Sequence, residues 1–349
     1  MKRRDFLGLA GGAAVSSSMP ATARAQAKLK RLRMLLNTSY SGPQAWLLLA
    51  IDGGYLAREG LEVELVPGGG AYTAAPRMTA GEFDVGYGDI NALIEVVARE
   101  PAKAPVAVFV AFNASPSTVA VDIGGPIRTP KDLEGKTIIG HSSDVALRTF
   151  GAFCRSTGVD ATKVNVVGGG GGMLDMVEGL RGSSSTHGVF GYVSTLDAAM
   201  AAGNREPEKL VRHLRYADHV PDLYGSTLMV SQRLLKQDPQ AVAGLVRGFN
   251  AGLAAIAQDI GPGLDAVMRR TGGGRRDVER LRLERTLQIE MAHKEGARIG
   301  IGAVDEARFT RSISLIAQTN RLPRVPAAAE VLASDFLPPL DQRVRTLSR

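Results

Sequence analysis

The residues of this chain that could do chemistry gather in loop-like stretches, not in a single catalytic motif. Four stretches place polar and aromatic side chains where an apolar run gives way to a helical pattern. The first is Asn37 to Trp46, holding Thr38, Ser39, Tyr40, Ser41, Gly42 and Gln44. The second contains Tyr87, Asp89 and Asn91. The third runs from Asn113 through Ser115 to Ser117 and Thr118. The fourth is His141-Ser142-Ser143-Asp144, and Tyr192 and Tyr224 stand on later loops. In open α/β sheets, ligands meet the loops after strands and the helix N-termini that follow. Those N-termini present free N–H groups and partial positive charge, which suit anions and polar heads. The candidate ligand-binding set is therefore Ser39, Tyr40, Ser41, Gln44, Trp46, Tyr87, Asp89, Asn91, Asn113, Ser117, Ser142, Ser143, Tyr192 and Tyr224. Each has a plainer alternative. The serines and Asp89 are ordinary helix caps, and tryptophans are usually largely buried.

Catalytic constellations are thin. There is no G-x-S-x-G and no H-E-x-x-H. The five histidines are dispersed, and His213 with His219 alone does not make a metal site. Cys154 sits near Leu147, Phe150 and Phe153, a setting for burial and not for a nucleophile. The glycine tracts Gly68 to Gly70 and Gly168 to Gly172 form neither a P-loop nor a G-x-G-x-x-G fingerprint. Tight turns or close backbone approach explain them better. No cofactor, metal or enzymatic activity is expected.

The elements that must position these loops alternate. Val63 to Val66, the apolar run within Pro105 to Phe112, Thr137 to Ile139 and Val164 to Val167 read as strands, several buried on both faces. Helical patterns fit Gln44 to Ala57, Ile90 to Ala98 and Val145 to Ser156, the last ended by Gly158. This order predicts an α/β fold with mostly parallel sheets. The last third is helical: Asp238-Pro239 opens a helix to about Ala257, with others over Asp277 to Lys294 and Val304 to Thr319.

The N-terminus reads as an export signal. Arg3-Arg4 precede Phe6-Leu7, a short apolar middle follows, and small residues flank Arg24 and Gln26. The arginine pair points to the twin-arginine route. Residues 1–25 hold four cations and one anion, so removing them takes the formal charge from +7 to about +4. No run of five like charges appears, so nucleic acid is not an expected partner. No second apolar stretch reaches the roughly 20 residues of a membrane span, and the single cysteine lies far from the signal. A soluble periplasmic protein, not a lipoprotein, is expected. About 320 residues after processing exceed what one core usually supports, so two lobes are expected.

Several short motifs occur in a familiar order. They are Ala45 to Ala50, then Gly54-Tyr55-Leu56, then Glu59-Gly60-Leu61-Glu62-Val63. Gly81 to Gly86, Pro130 to Ile138, and Leu223-Tyr224-Gly225 before Leu228-Met229-Val230 continue the series. Together they resemble the ABC-transporter periplasmic substrate-binding proteins for nitrate, sulfonate, taurine and thiamine-pyrimidine precursors. The resemblance covers most of residues 30–325. It implies a type II periplasmic binding fold with a ligand cleft. Lobe one would take 28–120 and 226–349, with C-terminal helices, and lobe two 121–225, after an export signal at 1–27. One departure stands out: where that family often has an Asp-Ala pair, this chain reads Ser184 to Tyr192, which puts ligand contacts near His187 in doubt. The resemblance further implies a monomer that captures a small organic solute and serves an ABC permease in the inner membrane. The aromatic residues of the loops favour a pyrimidine or an aromatic acid, and helix N-termini could hold a sulfonate or carboxylate head. Two other readings compete. One is an enzyme like the fungal thiamine-pyrimidine synthase, which shares the fold but has a cysteine-rich motif. The other is a periplasmic sensor partner without a transporter.

Overall fold

The structure, a computed structural model, describes residues 29–181 and 185–347. The expected export signal, with Arg3 and Arg4, lies outside the described residues, as does Ser184.

Among the described residues, ten strands form two five-stranded sheets. The first contains β1 (Lys30–Leu35), β2 (Leu61–Val66), β3 (Val85–Asp89), β4 (Val106–Val110) and β10 (Ser226–Val230), in the order β2-β1-β3-β10-β4. The second contains β5 (Ser117–Asp122), β6 (Thr137–His141), β7 (Asn165–Gly169), β8 (Gly188–Tyr192) and β9 (Val211–Arg215), in the order β7-β6-β8-β5-β9. β10 is antiparallel to both its neighbours, and so is β5. In each sheet four strands therefore run one way and one runs against them. The sheets are mixed, and the two reversed strands are those that follow the crossings between lobes.

Sequence explains the layers. β3, β4 and β10 are apolar or small and buried throughout, as strands covered on both faces must be. β2 is an edge strand: Leu61 and Val63 face inward, while Glu62 and Glu64 face outward against Arg31 and Arg33 of β1. β5 and β9 did not stand out as strands in the sequence. Ser117 and Thr118 begin β5 and are buried, so the first crossing runs through residues 111–116, ahead of position 120. The second runs through residues 220–225.

The helix read over Gln44 to Ala57 is two helices, Ala45–Asp52 and Tyr55–Arg58. Gly54 breaks it at φ 69°. The helix read over Asp277 to Lys294 also divides. Arg276–Arg285 passes into a π-helical turn, Thr286–Met291, and His293 then starts Lys294–Ile299 by accepting the Glu295 N–H at 3.1 Å. Asp238 caps Pro239–Gln258 as expected, accepting from Ala241 at 2.9 Å. The helix Glu306–Thr319 packs on Ile90–Arg99 of the first lobe and Phe150–Thr157 of the second, so one apolar core runs through the junction.

Candidate functional site

A cavity of about 510 Å³ lies between the sheets, within the range of small-molecule sites. Its walls are the segments after β1, β2 and β4 in one lobe and after β6, β7 and β8 in the other. That is the carboxyl-end position expected of an α/β ligand site.

In the first lobe, Asn37, Thr38, Ser39 and Gln44 line it. The loop is fixed from within. Asn37 Oδ1 accepts the Thr38 N–H at 3.0 Å and Gln44 Nε2 at 2.7 Å, while Ser41 Oγ donates to Gln44 Oε1 at 2.6 Å. The glycine tract Gly68 to Gly70 folds back on this loop, donating to Thr38 O and Asn37 O. A Cβ at Gly68 would stand 1.8 Å from Leu36 O, and Gly70 sits at φ 133°, so both positions require glycine.

In the second lobe, His141, Ser143 and Asp144 line the cavity with Tyr192 and Thr195. Asp144 caps the helix Val145–Arg148 by accepting the Ala146 N–H at 2.8 Å, and burial raises its pKa to about 6. The lobes meet at the rim. A Cβ on Gly70 would come within 3.0 Å of Ser143 Oγ, and Arg148 lies 5.1 Å from the Tyr72 ring. Ala71, Tyr72, Val145 and Tyr192 form an apolar cluster across the gap. The lobes touch along this rim.

The remaining wall comes from the C-terminal third. Arg282 and Glu290 reach the cavity from the helix Arg276–Arg285 and the π-turn after it. π-turns inside helices frequently mark functional sites. This segment ties both lobes. Glu279 accepts the Gly42 N–H at 2.6 Å, and Arg285 pairs with Asp197 of the helix Val193–Ala202 at 3.0 Å. Glu290 Oε1 accepts the Ser194 N–H at 3.2 Å, at that helix's N-terminus. Burial raises the Glu290 pKa to about 7; the Ser194 and Thr286 side chains and the Arg282 charge oppose the rise. Arg282 is pulled below its ordinary value by desolvation.

Of the fourteen candidates, Ser39, Gln44, Ser143 and Tyr192 line this cavity. The others are placed elsewhere. Trp46 is fully buried in the first lobe, packed on Tyr87, Phe109 and Phe249 at ring-centroid distances of 5.8–5.9 Å, so it belongs to the core and not to the cavity wall. Tyr87 is buried beside it. Asp89 caps the helix Ile90–Arg99, accepting the Asn91 N–H at 2.9 Å, and burial lifts its pKa to about 7. Asn91 donates to Tyr224 O, behind the cavity. Tyr40 packs on the first-lobe core, Ser41 bonds within its loop, Ser117 is buried in β5, and Ser142 is exposed. His187 lines a separate crevice.

Asn113 and Tyr224 serve the crossings. Arg308, on the helix Glu306–Thr319, donates from Nη2 to Asn113 O at 2.7 Å and Leu223 O at 3.1 Å, and from Nε to Pro221 O at 2.7 Å. Its Nη1 meets Glu295 Oε2 at 2.9 Å. Glu295 Oε1 accepts Tyr224 Oη at 2.8 Å and Asn113 Nδ2 at 3.2 Å. One buried ion pair thus grips both crossings.

Sequence reading missed Arg282, Glu290, Thr195 and Phe112 as lining residues. Only the glycine tract carried a local signal. Arg282 and Glu290 lie far along the chain, in a stretch that reads as one ordinary helix. Among the described residues no group of three His, Cys, Asp or Glu could hold a metal, and no helix is long and apolar enough to cross a membrane. Cys154 is buried in the helix Phe150–Thr157, away from the cavity wall, with its thiol pKa pushed up to about 12 by burial.

Two α/β lobes, each with one reversed strand, with a cavity between them at their strand ends, define the class: a two-lobed periplasmic-binding-protein fold. Solved structures agree. The aliphatic sulphonate binding protein SsuA of Escherichia coli matches at TM-score 0.64 and 14% identity, covering 87% of this chain and 92% of its own. The alkanesulfonate-binding protein SsuA of Xanthomonas axonopodis pv. citri, bound to MOPS, matches at 0.64 and 15%, covering 86% and 97%. A mutant of DSZB in complex with biphenyl-2-sulfinic acid, a protein described elsewhere as a desulfurization enzyme, matches at 0.58 and 13%, covering 88% and 98%. No curated protein matches the chain in sequence. The family profile described as NMT1/THI5 like matches residues 44–259, well over half of the sequence. The chain belongs to that family.

Proposed function

We propose that the chain captures a small organic solute in this cavity and delivers it to the permease of an ABC importer in the inner membrane. The periplasm is its place of action, and the solute is of pyrimidine, sulfonate or aromatic acid class. The observation that carries the reading is the cavity itself, lined from both lobes at their strand ends. Both lobes wall it, and the two crossings, the segment 276–291 and the helix Glu306–Thr319 link them. Capture by lobe closure needs that arrangement.

The test is a thermal-shift screen of a solute library on the purified chain, with mass spectrometry of the recovered ligand. A ligand at 100 times its Kd adds about 2.7 kcal/mol, a readable shift. Recovery of the solute unchanged supports capture. Steady conversion to a product would assign the chain to enzymes instead.

A further inference from the structure

Arg282 and Glu290 face the same cavity without meeting. Both line it, yet no carboxylate among the described residues lies within ion-pair distance of Arg282. The Arg282 contact is a long one, Nη2 to Thr195 Oγ1 at 3.4 Å, and its buried Nε has no partner. Glu290 is fully buried. Oε1 accepts the Ser194 N–H, but Oε2 has no hydrogen-bond partner. The Ser194 and Thr286 hydroxyls lie near without meeting Oε2 in bonding geometry. The buried Tyr192 Oη is likewise unpartnered. Buried polar groups are normally satisfied, and each exception calls for an explanation.

Resting on the capture reading above, we propose that the solute is a small acid bearing a protonated nitrogen, its acid group on Arg282 and its nitrogen on Glu290 Oε2. The guanidinium presents a planar fork suited to a carboxylate or sulfonate. Once ionised, a buried carboxylate selects an N–H donor, because an acceptor facing it would leave both groups unpaired. The rest of the wall agrees. Asp144 is engaged by its own helix N-terminus, and carboxylates equal or outnumber cations around the cavity, so a solute carrying only negative charge is opposed. Glu290 is then the residue that sets specificity, and the π-turn is what aims it.

The test uses solutes in four charge classes on the full chain: amino acids in the broad sense, plain acids, amines and neutral compounds. Two matched trios anchor it: 4-aminobutanoate, butanoate and butylamine; and 3-(aminomethyl)benzoate, 3-methylbenzoate and benzylamine. The amino-bearing acids should give the largest shifts in Tm, with the best of them at least tenfold tighter than its de-amino partner. Glu290→Gln should erase that tenfold difference while sparing the plain acid, and Arg282→Gln should weaken both. Strongest binding by plain acids or neutral compounds overturns the assignment and leaves capture standing. So does an amino preference that survives Glu290→Gln. No shift from any class overturns capture itself, and the assignment with it.

Discussion

Two arginine–glutamate arrangements among the described residues bring together segments of both lobes, and they are finished to different degrees. Arg308 and Glu295, at the crossings, are in contact at 2.9 Å, and each is also satisfied by backbone or side-chain partners from both crossings. Arg282 and Glu290, at the cavity, stay apart and keep unpartnered atoms. Residue type is the same; completion differs. A complete buried pair is a fixture, because removing either partner strands the other. An incomplete pair facing a cavity has capacity left for something that enters. The first arrangement reads as the pivot of lobe motion and the second as the place where a solute is held.

The largest effect should come from breaking the finished pair. Arg308→Met leaves Glu295 buried without its cation and frees three carbonyls of the crossings. A loss of about 3–5 kcal/mol is expected in urea unfolding. Arg282→Met, in the unfinished pair, should lose no more than about 1 kcal/mol, since it breaks only one long hydrogen bond. Equal losses in the two variants would erase the distinction.

Trp46 gives an effect of similar size with the opposite meaning for binding. Its indole fills the first-lobe core against three aromatic rings, so Trp46→Ala should cost about 3–5 kcal/mol. Its emission should barely respond to a solute, because the ring is buried before anything binds. A strong saturable quench on solute addition would return Trp46 to the site.

That contrast shows how far the sequence could be read. The two-lobed α/β fold was legible from strand-like apolar runs, caps such as Asp238-Pro239, and the ordered short motifs. Loops after strands were legible as the site's location, and Ser39, Gln44, Ser143 and Tyr192 follow from that. Within a loop, however, polar side chains either face the cavity or serve the fold, and local pattern does not separate the two. Ser41 bonds Gln44, Asp89 caps a helix, and Asn113 and Tyr224 hold the crossings. Arg282 and Glu290 were illegible for another reason. They reach the cavity only because the C-terminal segment folds back across both lobes, with the π-turn resetting its side-chain directions.

A smaller effect is pH-dependent and specific to the unfinished pair. Burial raises the Glu290 pKa from 4.5 to about 7. Between those values the native chain holds a proton that the unfolded chain has lost, so stability falls as pH rises through this window and levels off above it. Glu290→Gln removes that component, worth up to about 3 kcal/mol at one unit per 1.36 kcal/mol. Urea midpoints of parent and variant should therefore diverge from pH 5 to pH 8, in favour of the variant. Asp89 and Asp144, also raised, keep a residual decline in both. A bound ammonium would hold Glu290 charged and flatten the parent's curve. Parallel curves without ligand would remove the strain attributed to Glu290.

The smallest effect belongs to a third tie between the lobes, at the cavity rim. Arg148, exposed on the second lobe, lies 5.1 Å from the Tyr72 ring of the first. Tyr72 does not depend on it, since its hydroxyl bonds Glu95, which also takes the Asn320 amide. Arg148→Gln therefore removes a contact across the rim and leaves the ring where it is. An exposed cation–π contact contributes about 0.5–1 kcal/mol. Because the contact exists only when the cleft is closed, its loss should fall on the closed state. A captured solute should then escape roughly two to five times faster, with association little changed. The urea midpoint should not move, because neither lobe loses internal packing. Stopped-flow displacement of the tightest solute from the charge-class screen reads the escape rate directly. An unchanged rate would mean that the pivot at Arg308 and the contacts around Glu290 hold the cleft shut without the rim.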